Sequence, residues 1–419
     1  MPAKGGDVPV RQPSDVIVVG GGVIGLVTAW RAALKGLRVE VLDPEPGRGA
    51  AQVAAGMLAA VTELQYGEQT LLRLNLASSA RYPSFVAELE DASGMDCGYR
   101  RCGTLAVALD ADDRAQLREL HTFQTSMGLE ASWLTGRECR RLEPMLAPGV
   151  RGGLRVDGDH QVDPRRLVAA LLQACLHAGV RRHLVAAREI RVADGRARAV
   201  VLDDGRVLAA DQIVLAAGSR SDRLEGLPED VVPPVRPVKG QVLRLRVPRA
   251  HAPFLSRTVR AVVRGGHVYL VPRENGELVV GATSEEMGDD TTVTAGGVYE
   301  LLRDAHELVP GITELPLVET CAGLRPGSPD NAPLIGPTDL PGLVLATGHY
   351  RNGILLTAVT GDLMAEILAT GTVPEQALPF APQRFGAARR TAPQTAPEAT
   401  ARELTARELT ARELQEVAS

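Results

Sequence analysis

Two hydrophobic patterns alternate along the chain. Short, wholly apolar runs occur early (residues 16–19), in the middle (213–217) and late (343–346). Runs of this kind mark strands buried on both faces of a parallel sheet. A different pattern fills the stretch from 237 to 283. Residues 242–247 alternate with period two, and residues 267–272 and 278–281 flank an Asn275-Gly276 turn, the pattern of an antiparallel hairpin. Helical periodicity covers 23–35, with Gly36 placed to end that helix in the left-handed conformation. It returns at about 68–92, 112–128, 298–308 and 352–370. Asp163-Pro164 opens a further helix to about residue 177, with Asp as N-cap and Pro at the first helical position.

The early pattern is strand, glycine turn, helix, then a second strand over 38–42 ending on Asp43. The predicted fold class is therefore α/β, with a Rossmann-like nucleotide-binding domain interleaved with a second domain on a mostly antiparallel sheet. Residues 14–95, 160–240 and 328–381 go to the first and 96–159 and 241–327 to the second. Residues 1–13 read as a disordered lead, and 382–419 as a disordered tail in which Thr-Ala-Arg-Glu-Leu repeats three times. A five-residue period turns successive leucines by about 140° on a helix, so they never form one apolar stripe.

Composition narrows the function classes. A formal net charge of -5 gives no basic surplus for nucleic acid. The expected partners therefore include neither nucleic acid nor a membrane: no stretch reaches the roughly 20 apolar residues of a span. Five cysteines without a CxxC pair argue against a disulfide framework or a zinc site. No metal is expected, and a reduced, cytoplasmic setting fits.

The string Gly20-Gly21-Gly22-Val23-Ile24-Gly25 is the G-x-G-x-x-G pattern between strand and helix. Gly20 permits the tight turn, Gly22 lets a pyrophosphate reach the backbone, and Gly25 lets helix and strand approach. The helix N-terminus then offers free N–H groups to phosphate. Asp43 can accept from ribose hydroxyls. This much fits NAD or FAD. Ala217-Gly218 forms a second strand-to-glycine turn. The loop Gly348-His349-Tyr350-Arg351-Asn352-Gly353-Ile354-Leu355 leads into a late helix, and a helix N-terminus there would stabilise negative charge on a reduced flavin. That third segment favours FAD.

Several strings resemble the D-amino-acid-oxidase-like FAD oxidoreductases, and within them glycine oxidase of the thiamine pathway. They are Ala54-Ala55-Gly56-Met57-Leu58, Pro237-Val-Lys-Gly240, Tyr269-Leu-Val-Pro-Arg273, residues 278–283, Ala322-Gly-Leu-Arg325-Pro-Gly327 and residues 348–356. The resemblance spans about 15–371 and leaves the repeat tail without a counterpart. It implies that Arg325 anchors the substrate carboxylate, as a guanidinium fork suits. It implies that Tyr269 contacts the same carboxylate. Arg351 falls near substrate or flavin, or in a structural ion pair. Ala54, Ala55, Gly56 and Met57 would contact the flavin, and Glu189 would lie with the cofactor-binding set. His267, on the strand face of Tyr269, is a conceivable base, although hydride transfer from Cα needs none. Cys321 stands where the sarcosine-oxidase branch carries a flavin-linked cysteine, but the longer spacing onward to Pro-Asp favours non-covalent FAD. The implied activity is oxidation of glycine by FAD and O2, to imine and hydrogen peroxide, feeding thiamine thiazole synthesis. Sarcosine, a D-amino acid or D-proline is the alternative substrate, and a dehydrogenase the alternative type. A non-catalytic FAD-binding protein is the reading from another class. A homo-oligomer is implied, a tetramer being common among such relatives.

Overall fold

A computed structural model describes residues 14–263 and 265–386. The apolar runs become the centre of the first sheet. Ser14–Val19 lies parallel to both Val39–Leu42 and Val207–Leu215, and Leu343–Thr347 extends the ladder beyond the latter. Val16, Ile17 and Val18 are wholly buried, as strands covered on both faces must be. The helices Val23–Leu34, Gln69–Ser93, Pro164–His177 and Thr357–Thr370 pack together over this sheet. Trp30 and Phe85 meet edge to face at 6.2 Å inside that layer. The Asp163 carboxylate caps its helix, accepting from the Arg165 and Arg166 N–H groups at 3.0 and 3.3 Å.

The second sheet also has eight strands and is mostly antiparallel. Its order across the sheet is Leu317–Gly327, Arg236–Arg246, Glu277–Gly281, Gly266–Pro272, Thr258–Val263, Thr104–Ala108, Gly152–Val156 and Ser132–Thr135. Leu243, Leu245, Leu270, Leu278 and Val280 point to one face, against the helix Ala295–Leu308. The opposite face carries Val242, Val271 and Val279 against Ala55 of the first half of the chain. Tyr269 and Cys321 border that patch. The strand period of two therefore divides this sheet between a core face and a face toward the glycine-turn side of the molecule.

Three boundaries differ from expectation. The border drawn between 240 and 241 falls inside the strand Arg236–Arg246, whose whole length pairs with Leu317–Gly327. The late helix begins at Thr357, not near 352; Tyr350–Asn352 is a separate 3-10 turn, in which Tyr350 takes a left-handed φ of 47°. The tail drawn from 382 begins with ordered residues. Pro382 is buried, the Arg384 guanidinium donates to Asp330 at 2.8 and 3.0 Å, and Gln383 donates to the Pro337 carbonyl at 2.9 Å. The described residues up to Arg384 form one compact unit. The lead 1–13 and the repeats lie outside the described residues. The short helix Gly136–Leu142 escaped the pattern reading, although its capping box, Thr135 with Glu138, is visible in the sequence. Among the described residues no helix is long and apolar enough to cross a membrane.

Candidate active site

The glycine turn has three different reasons for its glycines. A Cβ on Gly20 would stand 2.4 Å from the Ala216 carbonyl oxygen, and one on Gly25 would stand 1.9 Å from the Gly20 oxygen. Both glycines are dictated by packing. A Cβ on Gly22 would meet nothing within 4 Å. Gly22 faces open space, where close backbone approach by a ligand is the remaining use of a glycine. Gly22 is also the N-cap of Val23–Leu34, with no side-chain cap and no acid in the first turn. The N–H groups of Val23, Ile24 and Gly25 thus begin a helix whose positive end is unneutralised. Asp43 accepts from the Gly21 N–H at 2.6 Å and the Glu45 N–H at 2.8 Å. Each carboxylate oxygen keeps a lone pair for a ribose hydroxyl. Ala217 lies against Gly20, and the Gly218 carbonyl accepts from the Thr347 hydroxyl at 3.2 Å. These residues could hold a dinucleotide's adenosine and pyrophosphate. Glu189 bridges to Glu225, and its Cγ packs by Gly226.

Ala54-Ala55-Gly56-Met57 is clamped from across the chain. Gly56 has φ +77, and a Cβ there would collide with the Val162 oxygen at 2.0 Å. Arg273, 7% exposed, donates to Gln161 Oε1 at 2.7 Å, to the Val162 carbonyl at 2.8 Å and to the Ala55 carbonyl. Burial pulls its guanidinium down to about 10, and it still carries its charge at neutral pH. Val53 of the same turn packs on Gly323, where a Cβ would lie 2.8 Å away. Arg165 and Arg244 both donate to the Gln52 carbonyl, at 3.0 and 3.1 Å. The turn is thereby fixed against the open face of the second sheet.

On that face two glycines make room for two side chains. Arg325 points back over its neighbouring strand, where a Cβ on Gly240 would lie 2.5 Å from both terminal guanidinium nitrogens. Its Nη1 donates to the Thr283 carbonyl at 3.2 Å and the Lys239 carbonyl at 3.4 Å. Tyr269 leans over the next strand, and a Cβ on Gly281 would lie 2.4 Å from its hydroxyl oxygen. Both side chains reach toward the strand Glu277–Gly281 from opposite sides. Burial pushes the Tyr269 phenol up, so at neutral pH it remains an O–H donor. Among the described residues, no carboxylate lies within ion-pair distance of Arg325. Phenol and guanidinium together can grip an external carboxylate.

The surroundings of this clamp are charged. Arg260 pairs in register with Tyr269 and lies 3.0 Å from Glu63. Arg351 lies 3.5 Å from Glu68, with its guanidinium 5.3 Å from the Tyr350 ring centroid. Of the two roles open for Arg351, the ion pair is present. His267 is solvent-accessible on its strand, yet crowding by its neighbours and then the charges of Arg260 and Arg351 hold its imidazole below the usual range, which favours the neutral form at pH 7. His349 is buried, bonded to the Thr360 hydroxyl at 3.0 Å, and pulled to about 3 by burial. Asn352 is buried beside it, while the Ile354 and Leu355 carbonyls accept from Tyr82 and Ser78 at 3.1 and 2.6 Å. Gly348 and Gly353 flank this turn, which bridges through His349 to Gly327, just past Arg325. Cys321 shares the strand face of Arg325, and burial pushes its thiol up. Sequence reasoning missed Arg273, Glu63, Glu68 and Arg260, since their partners are far away in the chain.

Comparison with known proteins places the chain in a family. A family model described as FAD dependent oxidoreductase matches residues 15–367. The chain is 38% identical over 380 residues to a bifunctional protein ThiO/ThiG of a Synechocystis species, covering 90% of this chain and 55% of that protein. It thus spans about half the length of the first such relatives it matches. It is 36% identical to a glycine oxidase of Geobacillus kaustophilus, covering 87% of this chain and 96% of that one. The crystal structure of a glycine oxidase from the same organism superposes with a TM-score of 0.83 at 34% identity, over 89% of this chain and 99% of that chain. The glycine cradle, the clamped turn and the extent of the match lead to one statement: this chain belongs to the FAD dependent oxidoreductase family.

Proposed function

We propose that this protein is an FAD-dependent oxidase of glycine. The observation that carries the reading is the clamp: among the described residues Arg325 donates to backbone carbonyls and has no carboxylate partner, beside a protonated Tyr269, on the face that meets the Ala54–Met57 turn. A half-buried guanidinium without a carboxylate partner calls for an anionic ligand, and a fork calls for a carboxylate. Similarity to glycine oxidases over nearly the whole of those chains supports the choice of substrate.

Each residue then has a task. Gly20, Gly22, Gly25 and the Val23–Ile24 N–H groups hold the pyrophosphate, and Asp43 the ribose. Ala54, Ala55, Gly56, Met57 and the 348–355 turn hold the flavin ring. Arg325 and Tyr269 fix the substrate carboxylate, which orients Cα and the amine. Neutral His267 lines the site without serving as a base. When bound, FAD would supply the two-electron acceptor for oxidation of the amine, a hydride from Cα and a proton from nitrogen leaving the imine, with O2 as the final oxidant giving hydrogen peroxide. The imine hydrolyses to glyoxylate and ammonia or passes to thiazole assembly for thiamine. Cys321 forms no bond to the cofactor.

A peroxide assay over glycine, sarcosine, D-alanine and D-proline tests the substrate. Glycine is expected to give the highest kcat/KM. A clear preference for another amine, or no peroxide with any of them, would count against the reading.

A further inference from the structure

Three guanidinium groups gather around the clamp: Arg325, Arg260 and Arg351. Two of them have carboxylate partners. Arg260 lies 3.0 Å from Glu63, with side chains only 15% and 16% exposed, and Arg351 lies 3.5 Å from Glu68. Arg325 alone has none among the described residues. The local charge balance therefore leaves one positive group for the ligand.

The Arg260–Glu63 pair is the better placed of the two. Arg260 sits opposite Tyr269 on the adjoining strand, so both side chains rise from the same sheet face. Glu63 rides on the segment just after the Ala54–Met57 turn. That segment is held rigidly from behind by two buried side chains. Asp159 accepts from Val61 N at 3.1 Å, Thr62 N at 2.7 Å and the Thr62 hydroxyl at 2.7 Å. Gln124 donates to the Val61 carbonyl at 2.9 Å. Glu63 is thus delivered to Arg260 by an anchored loop rather than by a free surface side chain. The fields of Glu63 and Arg260 both reach the Tyr269 phenol and the His267 ring. His267, Arg351 and Glu68 complete the charged and titratable groups on this side.

We propose that Arg260 is a second carboxylate-binding position kept closed by Glu63, so that this pair restricts the site to amino acids with a single carboxylate. Taking the charge from Glu63 leaves a half-buried guanidinium without its partner, a costly state that an incoming anion relieves. The class of ligand admitted would be an amine, or an inert analogue, with one carboxylate on Arg325 and another on Arg260. The inference rests on the reading of Arg325 as the first anchor.

Binding of inert carboxylates to the FAD-loaded protein tests it without turnover. Acetate, malonate, succinate and glutarate are titrated against the visible spectrum of the bound cofactor. In the wild type, a second carboxylate is expected to bring no gain over acetate. In Glu63→Gln, the best dicarboxylate is expected to gain at least tenfold relative to acetate, and Glu63→Ala should repeat this if the amide variant folds poorly. The Glu63→Gln, Arg260→Gln double variant should return to the wild-type ratio. An unchanged ratio in both Glu63 variants, or a gain that survives loss of Arg260, overturns the proposal. Arg325→Ala separates the two readings: unchanged acetate affinity there removes the first anchor, whereas the double variant judges Arg260 alone.

Discussion

Arg273→Met is expected to destabilise the protein by on the order of 4 kcal/mol and to weaken FAD binding at least tenfold. The arginine is 7% exposed and satisfies three acceptors at once, Gln161 Oε1, Val162 O and Ala55 O. Methionine fills similar space but donates nothing, so three buried acceptors lose their partner. Each costs about 1–3 kcal/mol, reduced by local relaxation. The effect on FAD follows from position: the Ala55 carbonyl belongs to the turn that would contact the flavin. Thermal or urea unfolding with and without added FAD, and FAD titration of the apoprotein, measure the two effects. A loss under about 1 kcal/mol with unchanged FAD affinity would show that the turn holds itself.

Arg325→Ala is expected to lower kcat/KM for glycine about a thousandfold, or roughly 4 kcal/mol of transition-state binding, with FAD still bound. Arg325→Lys should recover only part, because an ammonium lacks the planar fork. Gly240→Ala offers an independent approach to the same group. Its new Cβ would stand 2.5 Å from the guanidinium nitrogens, and the opposing atoms are the end of a side chain that can swing aside. The backbone survives, but the clamp is displaced. A tenfold to hundredfold loss in kcat/KM is expected there, mostly in KM, with folding intact. Steady-state kinetics on the three variants decide the matter, and retention of wild-type kcat/KM in Arg325→Ala would remove the clamp from the account.

The sequence made the first sheet legible because its strands are buried on both faces and read as unbroken apolar runs. Residues 16–19, 213–217 and 343–346 all became neighbours in one ladder. The hairpin around Asn275-Gly276 was legible for a similar reason, since alternation and turn residues are local signals. Local signals fail where a residue's purpose lies across the chain. Arg273 is one residue in a recognisable string, yet its partners Gln161, Val162 and Ala55 stand more than a hundred positions away. Glu63 and Arg260 carry no motif at all. Gly240 and Gly281 read as strand glycines, and only the direction of the Arg325 and Tyr269 side chains shows what they leave room for. The late helix reads as starting too early because its apolar spacing continues back through 353–356, which form a turn ahead of the helix proper.

The proposed function stands or falls on whether an amino acid held by Arg325 and Tyr269 gives up electrons to FAD. Anaerobic mixing of the FAD-loaded protein with glycine puts this to the test without the oxygen step. The visible flavin absorbance is expected to bleach with glycine, and the bleaching to slow by orders of magnitude in Arg325→Ala. An oxidised spectrum that persists with glycine while another amine bleaches it would contradict the substrate, and bleaching at the same rate in Arg325→Ala would contradict the clamp.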